Sequence, residues 1–241
     1  MKIVIADSYE LMSKQAADAI ANITQSIAEP LVCVPSGDSP KALYKEWKLQ
    51  QEKKIIDIHN WYFLGLDEWI GLDENDEGSC RYMLNRDLFH PLNIQEEKIC
   101  CFNGNTTNTE AECNRIENYI HQHKAIDIAI LGLGMNGHVG LNEPGTSSLL
   151  YSHVSNIHPV TNKTGQKYFS KPQSLTQGIT LGLATLMEAK HLILLVSGQK
   201  KADILKQAIE DDVTENVPAS LLRRHPQFYI YADKDAAGML K

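Results

Sequence analysis

The residues best placed for chemistry lie in the run Asp127 to Gly145, DIAILGLGMNGHVGLNEPG. Asn136, His138, Asn142 and Glu143 stand close together there, between Gly132, Gly134, Gly137 and Gly140. Imidazole titrates near neutral pH, so His138 can take a proton and return it. Glycine lets the backbone turn tightly and lets a ligand approach it closely. Two further stretches carry candidates. Asp67-Glu68 follows the apolar segment Trp61 to Leu66, and the pair reads either as a buried general base or as a solvated turn. Pro35 to Pro40, PSGDSP, is a serine and glycine turn that feeds a helix. Free N–H groups and the helix dipole favour a phosphate there, although Ser39 also reads as an ordinary N-cap. Asp38 is out of place in such a loop, because a carboxylate repels a phosphate. Lys200 and Lys201 sit just after Ser197-Gly198-Gln199. Cations near a helix N-terminus oppose the dipole and point to an anion nearby.

These residues need elements to hold them. Ile128 to Leu133 is an apolar run of the kind buried on both faces of a parallel sheet. Met1 to Ala6, Leu31 to Val34, Trp61 to Leu66, His191 to Val196 and Gln227 to Ala232 read as further strands. Between them, Glu10 to Ser26, Lys41 to Gln51, Cys80 to Phe89 and Thr109 to His123 read as helices, as do shorter pieces ending at Met187 and starting at Val217. Ser147 to Lys171 reads as a long polar loop and Asp233 to Lys241 as a tail. Strands alternating with helices imply an α/β fold, Rossmann-like and doubly wound, with a mostly parallel sheet and helices on both faces. In such sheets ligands sit at the carboxyl ends of strands, which is where the loop after Ile128 to Leu133 lies. No linker, repeat or low-complexity block divides the chain, so residues 1–241 read as one domain.

Composition narrows the class. The 241 residues carry a formal charge of −7, so no nucleic-acid partner is expected. No run of about 18 apolar residues suggests a membrane span, and MKIVIADSYE lacks a signal-peptide pattern; a cytoplasmic location is expected. Five cysteines without a CxxC pair, and His153 and His158 without ligand spacing, give no metal site. GLGMNG comes close to a dinucleotide fingerprint. That motif needs a helix opening inside the glycines and an acidic residue about 20 positions on, whereas Pro144-Gly145 breaks the chain here.

GLGMNGHVGLNEPG resembles the signature of the amino-sugar-6-phosphate deaminase/isomerases. The resemblance continues through PSGDSP, LDEWIGL at Leu66–Leu72, FNGN at Phe102–Asn105 and GITLGL at Gly178–Leu183, nearly the whole chain in order. It implies a hexosamine 6-phosphate substrate and an aldose–ketose isomerisation with loss of ammonia, needing no cofactor. Asp67 would be the base at C2. His138 would move the ring-opening proton, with Glu143 orienting it. Ser36, Gly37, Ser39 and Lys201 would hold the phosphate, and amides of the glycine loop would steady the enolate oxygen. Asn136 departs from the best-known pattern, which has Asp there. It also gives the chain the look of a galactosamine-6-phosphate isomerase, so the galacto epimer is expected as substrate. Hexameric members with an allosteric site carry a longer C-terminal tail, so no activation by an N-acetylated sugar phosphate is expected; the state is a monomer or a homo-oligomer. The rivals are a 6-phosphogluconolactonase, which should lack NEPG and LDEW, and a non-catalytic sugar-phosphate sensor.

Overall fold

The computed structural model describes residues 1–241. The first half of the chain forms β1 (Lys2–Ala6), α1 (Tyr9–Thr24), β2 (Leu31–Val34), α2 (Lys41–Glu52), β3 (Tyr62–Gly65), β4 (Asp67–Trp69), α3 (Cys80–Leu84), β5 (Ile99–Cys100) and α4 (Thr109–Gln122). The second half forms β6 (Ile128–Gly132), β7 (His153–Asn156), α5 (Pro159–Gly165), β8 (Gln177–Thr180), α6 (Leu183–Met187), β9 (His191–Val196), α7 (Ala202–Ile209), α8 (Pro218–Leu221), β10 (Phe228–Asp233) and α9 (Lys234–Ala237).

Seven strands form one sheet in the order β1-β10-β9-β6-β2-β3-β5, and every pairing in it is parallel. Successive residues of a strand face opposite ways. Cys33, Leu64, Leu131, Leu194 and Ile230 therefore join one core with α4 and α7, while Val32, Phe63, Ile130, Ile193 and Tyr231 join another with α1 and α2. This two-sided burial explains why the strands read as unbroken apolar runs. The helices show the complementary period, as in α1, where Met12, Ala16, Ala17 and Ile20 are buried and Ser8 caps the first turn through Leu11 N at 3.2 Å.

A second, antiparallel sheet, β4-β8-β7, sits at the carboxyl edge of the first. It accounts for the main differences from the sequence reading. The strand expected over Trp61 to Leu66 stops at Gly65, and the chain changes sheets at Leu66: Leu66 N donates to Val34 O at 3.1 Å, while Leu66 O accepts from Leu181 N at 3.0 Å. The loop expected over Ser147 to Lys171 contains β7 and α5. Neither has the apolar pattern of a two-sided core, because the small sheet needs little cover. α5 starts with Pro159 at its first turn and the His158 ring accepting from Val160 N at 3.2 Å. The tail holds α9, capped by Asp233 Oδ1 on Ala236 N at 2.8 Å.

Glu68 ties the small sheet to α3 and rules out a solvated turn. Its side chain is 1% exposed. It accepts from Trp69 N and Cys80 N at 2.8 Å and from Arg81 N at 2.9 Å, satisfying the open N-terminus of α3. Burial pushes its carboxyl up to about 7 against those three donors. In Glu68→Gln the new amide N–H faces a backbone N–H, and such an unmatched buried donor costs about 1–3 kcal/mol. Urea unfolding should read that loss; an unchanged midpoint would show that the anchor is dispensable.

Candidate active site

The loop after β6 builds the centre of the site. Gly134 N donates to His138 O at 2.8 Å and Gly137 N to Gly134 O at 3.1 Å. Those two amides are therefore spent within the loop and do not face a ligand. The turn presses the His138 ring against Gly134, where a Cβ would lie 2.4 Å from the ring atoms. Only glycine leaves room for the imidazole.

Asn136 is the hub. Its Nδ2 donates to Glu143 Oε2 at 2.8 Å, and its Oδ1 lies 2.6 Å from His138 Nδ1. A carboxylate accepts only, so the amide nitrogen must face Glu143 and the amide oxygen must face the ring. His138 Nδ1 therefore carries the proton, and Nε2 is left as the basic nitrogen. Glu143 Oε2 stands 3.5 Å from Nδ1, further than Asn136. Burial raises the Glu143 carboxyl, but His138, Thr161 and Asn136 outweigh it and hold the group below its usual range. The expected His138–Glu143 pair is thus present with Asn136 inserted between the two. Thr161 of α5 completes the set, with Oγ1 at 3.0 Å from His138 Nδ1 and 3.5 Å from Asn136 Nδ2. Sequence reasoning missed Thr161, since the helix that delivers it read as loop.

Asp67 is the first residue of β4, half-buried at the carboxyl edge of the main sheet. Burial pushes its carboxyl up to about 6, with the Cys80 thiol and, in its protonated form, His138 pulling the other way. Thr180, opposite Asp67 in the antiparallel register, fixes both loops. Its hydroxyl accepts from Leu141 N at 3.2 Å and reaches Leu66 O at 3.5 Å and Leu181 O at 3.2 Å.

The residues expected to hold an anion gather at the end of β6. Gly37 has a φ of +89°, which the tight turn between Ser36 and Ser39 requires. Ser39 Oγ lies 3.5 Å from where a Gly132 Cβ would stand. Lys201 reaches in from the turn before α7 and donates to Leu133 O at 2.5 Å. Burial, helped by the charge of Lys167, lowers its ammonium to about 8. Lys200 is exposed. On the sequence, Lys163 or Lys167 is open as a second phosphate contact, in a stretch too irregular to align; the structure brings Lys167 to this loop. Asp38 turns its carboxylate to Lys41 and Lys167, at 2.8 and 2.6 Å.

A parallel sheet whose carboxyl edge gathers an imidazole of fixed tautomer, a carboxylate of raised pKa and a partly desolvated lysine defines an α/β protein equipped for acid–base chemistry on an anionic ligand. The chain belongs to the glucosamine-6-phosphate isomerase/6-phosphogluconolactonase family, whose model matches residues 6–230. It is 36% identical over 241 residues to a glucosamine-6-phosphate deaminase of Geobacillus sp. (strain WCH70), covering 100% of this chain and 96% of that one. It is also 36% identical, over 237 residues, to one of Halalkalibacterium halodurans, covering 98% and 96%. Among solved structures, a monomeric glucosamine-6-phosphate deaminase superposes with a TM-score of 0.95 at 30% identity, covering 99% of this chain and all of that one. The 6-phosphogluconolactonase of Trypanosoma brucei superposes at 0.78 and 19% identity, a likeness of fold alone.

Nitrogen-15 NMR of the imidazole tests the hub: the neutral ring of His138 should show a protonated Nδ1 and a bare Nε2. Asn136→Ala should mix the tautomers, and Gly134→Ala should move the ring off Asn136 altogether. A wild-type ring protonated at Nε2 would reverse the assignment.

Proposed function

We propose that this chain converts a hexosamine 6-phosphate into the corresponding ketose 6-phosphate and ammonia, with glucosamine 6-phosphate as the substrate. The observation that carries the reading is that Thr180, opposite Asp67 in the antiparallel register, bonds to the loop of the Asn136–His138–Glu143 network and so sets that network beside Asp67. One group can serve ring oxygens and the other C2. The phosphate would lie against Ser36, Gly37 and Ser39, with Lys201 as its counter-charge. His138 Nε2 takes the proton from the C1 hydroxyl and delivers it to the ring oxygen, opening the ring. Glu143, held ionised, steadies the transient imidazolium. Asp67, ionised, removes the C2 proton and returns it at C1, while a proton of the C2 ammonium passes to the C1 oxygen; the product is a C2 iminium beside a C1 hydroxymethyl group. Water adds at C2, the C–N bond breaks to release ammonia, and the C2 ketone remains. The steps are proton transfers, a ring opening, a hydration and the loss of an amine, so the residues named suffice without a cofactor.

The choice of epimer rests on Asn136. Its Nδ2 gives one N–H to Glu143 and reaches Thr161 with the other at 3.5 Å, and its Oδ1 takes both the ring and the backbone N–H of His138, so its hydrogen-bonding groups are engaged within the network and not left to read the C4 hydroxyl. The link between Asn136 and a galacto substrate thereby loses its physical basis, and the relatives described above bear the gluco name. The likeness to a monomeric enzyme supports action as a monomer.

Ammonia release from glucosamine 6-phosphate and galactosamine 6-phosphate, measured side by side, tests this reading. The gluco epimer should be preferred, and Asp67→Asn should lower turnover about 10²–10⁴-fold, the usual worth of a general base. A galacto preference overturns the epimer, and no ammonia from either overturns the reaction in favour of a lactonase or a sensor.

The pH profile of kcat/KM supplies a second check. Raising the pH through about 6 ionises Asp67 and should raise activity. Raising it through about 8 discharges Lys201 and should lower activity. Lys201→Arg stays charged at any working pH, so it should push the alkaline limb upward; an unmoved limb would assign that limb to another group.

A further inference from the structure

Asp38 is the one charged residue of the phosphate loop Pro35 to Pro40; the reaction does not use it, and like charge should keep it out. The backbone around it is fixed. Tyr9 Oη donates to Asp38 O at 2.8 Å or Ser39 O at 3.2 Å and accepts from Ala42 N at 3.0 Å. The exposed carboxylate then divides its oxygens. Oδ1 takes Lys41 at 2.8 Å, and Oδ2 takes Lys167 at 2.6 Å, with Tyr168 Oη at 3.5 Å. Burial raises the carboxyl, but these lysines prevail and hold it below its usual range.

Lys167 comes from the turn that follows α5, and that turn covers the loop. Tyr168 Oη stands 2.9 Å from where a Gly37 Cβ would be. The charge of Lys167 is also felt at Lys201. Lys167 is therefore near both the lysine assigned to the phosphate and a carboxylate of the same loop. We infer that Asp38 is an internal anion that competes with the substrate phosphate for Lys167, and so determines how tightly the phosphate end binds. The inference rests on the phosphate site proposed above.

The consequence is a weakened phosphate subsite. A phosphate that recruits Lys167 must break the 2.6 Å pair and then sit near a carboxylate still held by Lys41. That cost is shared by inorganic phosphate and by a sugar phosphate, so Asp38 weakens both by a similar factor. The pairs are half-exposed, with side-chain exposures of 50% for Lys167 and 54% for Asp38, so each contributes modestly. Removing the competing charge should tighten phosphate binding about three- to tenfold.

The experiment measures the dissociation constant of inorganic phosphate by titration calorimetry, and KM for glucosamine 6-phosphate, in six proteins. These are the wild type, Asp38→Asn, Asp38→Ser, Lys167→Met, the Asp38→Asn/Lys167→Met double variant and Lys201→Met. Asp38→Asn should tighten inorganic phosphate about three- to tenfold and lower KM by a similar factor, with Asp38→Ser repeating the direction. In the Lys167→Met background most of that gain should vanish, since no shared cation remains to be released. Unchanged or weaker binding in Asp38→Asn overturns the inference, as does an equal gain with and without Lys167. Lys201→Met should weaken phosphate binding at least tenfold. If it leaves both constants unchanged, the phosphate site itself is misplaced and the inference falls with it; if only the Asp38 results fail, the site stands and the inference alone is lost.

Discussion

The site depends on a change of sheet at one residue. Leu66 ends its stay beside β2 with one hydrogen bond to Val34 and opens the antiparallel sheet with another from Leu181. The two bonds use the N–H and the C=O of the same residue, so the crossing leaves no buried backbone group unpaired. Everything beyond it inherits its position. Asp67 follows directly and lands at the carboxyl edge of the parallel sheet. Glu68, next in line, turns inward and caps α3. Thr180 lies opposite in the register and bonds to the backbone of the glycine loop, which fixes that loop relative to the base. A slip of one residue in β4 would exchange Asp67 and Glu68 between faces and put the structural carboxylate where the reactive one belongs.

The site is held in a state of mild electrostatic frustration. Burial lifts Asp67 from 3.8 to about 6 and depresses Lys201 from 10.5 to about 8. Each group is less comfortable charged in the fold than in water. The fold gives up stability at Asp67 as pH rises from about 4 towards 6, and at Lys201 as pH falls from about 10 towards 8. Near pH 7 both are charged at a cost, and both costs serve the chemistry. A carboxylate of raised pKa is a stronger base toward carbon, and a desolvated ammonium gains more from a phosphate than a solvated one does. The lysine–carboxylate cluster at Asp38 works the other way, since there the chain already satisfies its own charges.

Asn136 shows how a neutral group can organise an acid–base site. It cannot relay a proton, yet it dictates where the proton sits. Glu143 orients the amide, and the amide orients the ring, so the preference of one carboxylate reaches His138 through a single fixed side chain. Thr161 adds a hydroxyl on the same nitrogen from a different helix. The imidazole is therefore constrained from the glycine loop and from α5 together.

The sequence by itself determined the parallel sheet, because strands buried on both faces must be apolar at every position and so announce themselves. It also determined the glycine loop with His138 and Glu143, since tight turns and close approach leave a local glycine pattern. Asp67 was visible only as one of two adjacent carboxylates. Which of them is buried against α3 and which faces the site was decided by the strand register, a non-local property. The small antiparallel sheet and α5 were read as loop, because half-exposed elements need few apolar residues and their pairing partners lie far along the chain. For the same reason Thr161 carried no local mark, and Lys167 stood level with Lys163 as a candidate phosphate contact. The tertiary structure alone brought Thr161 to His138 and Lys167 to Asp38, across 23 and 129 positions. Local chemistry wrote the candidates into the sequence; long-range pairing chose among them.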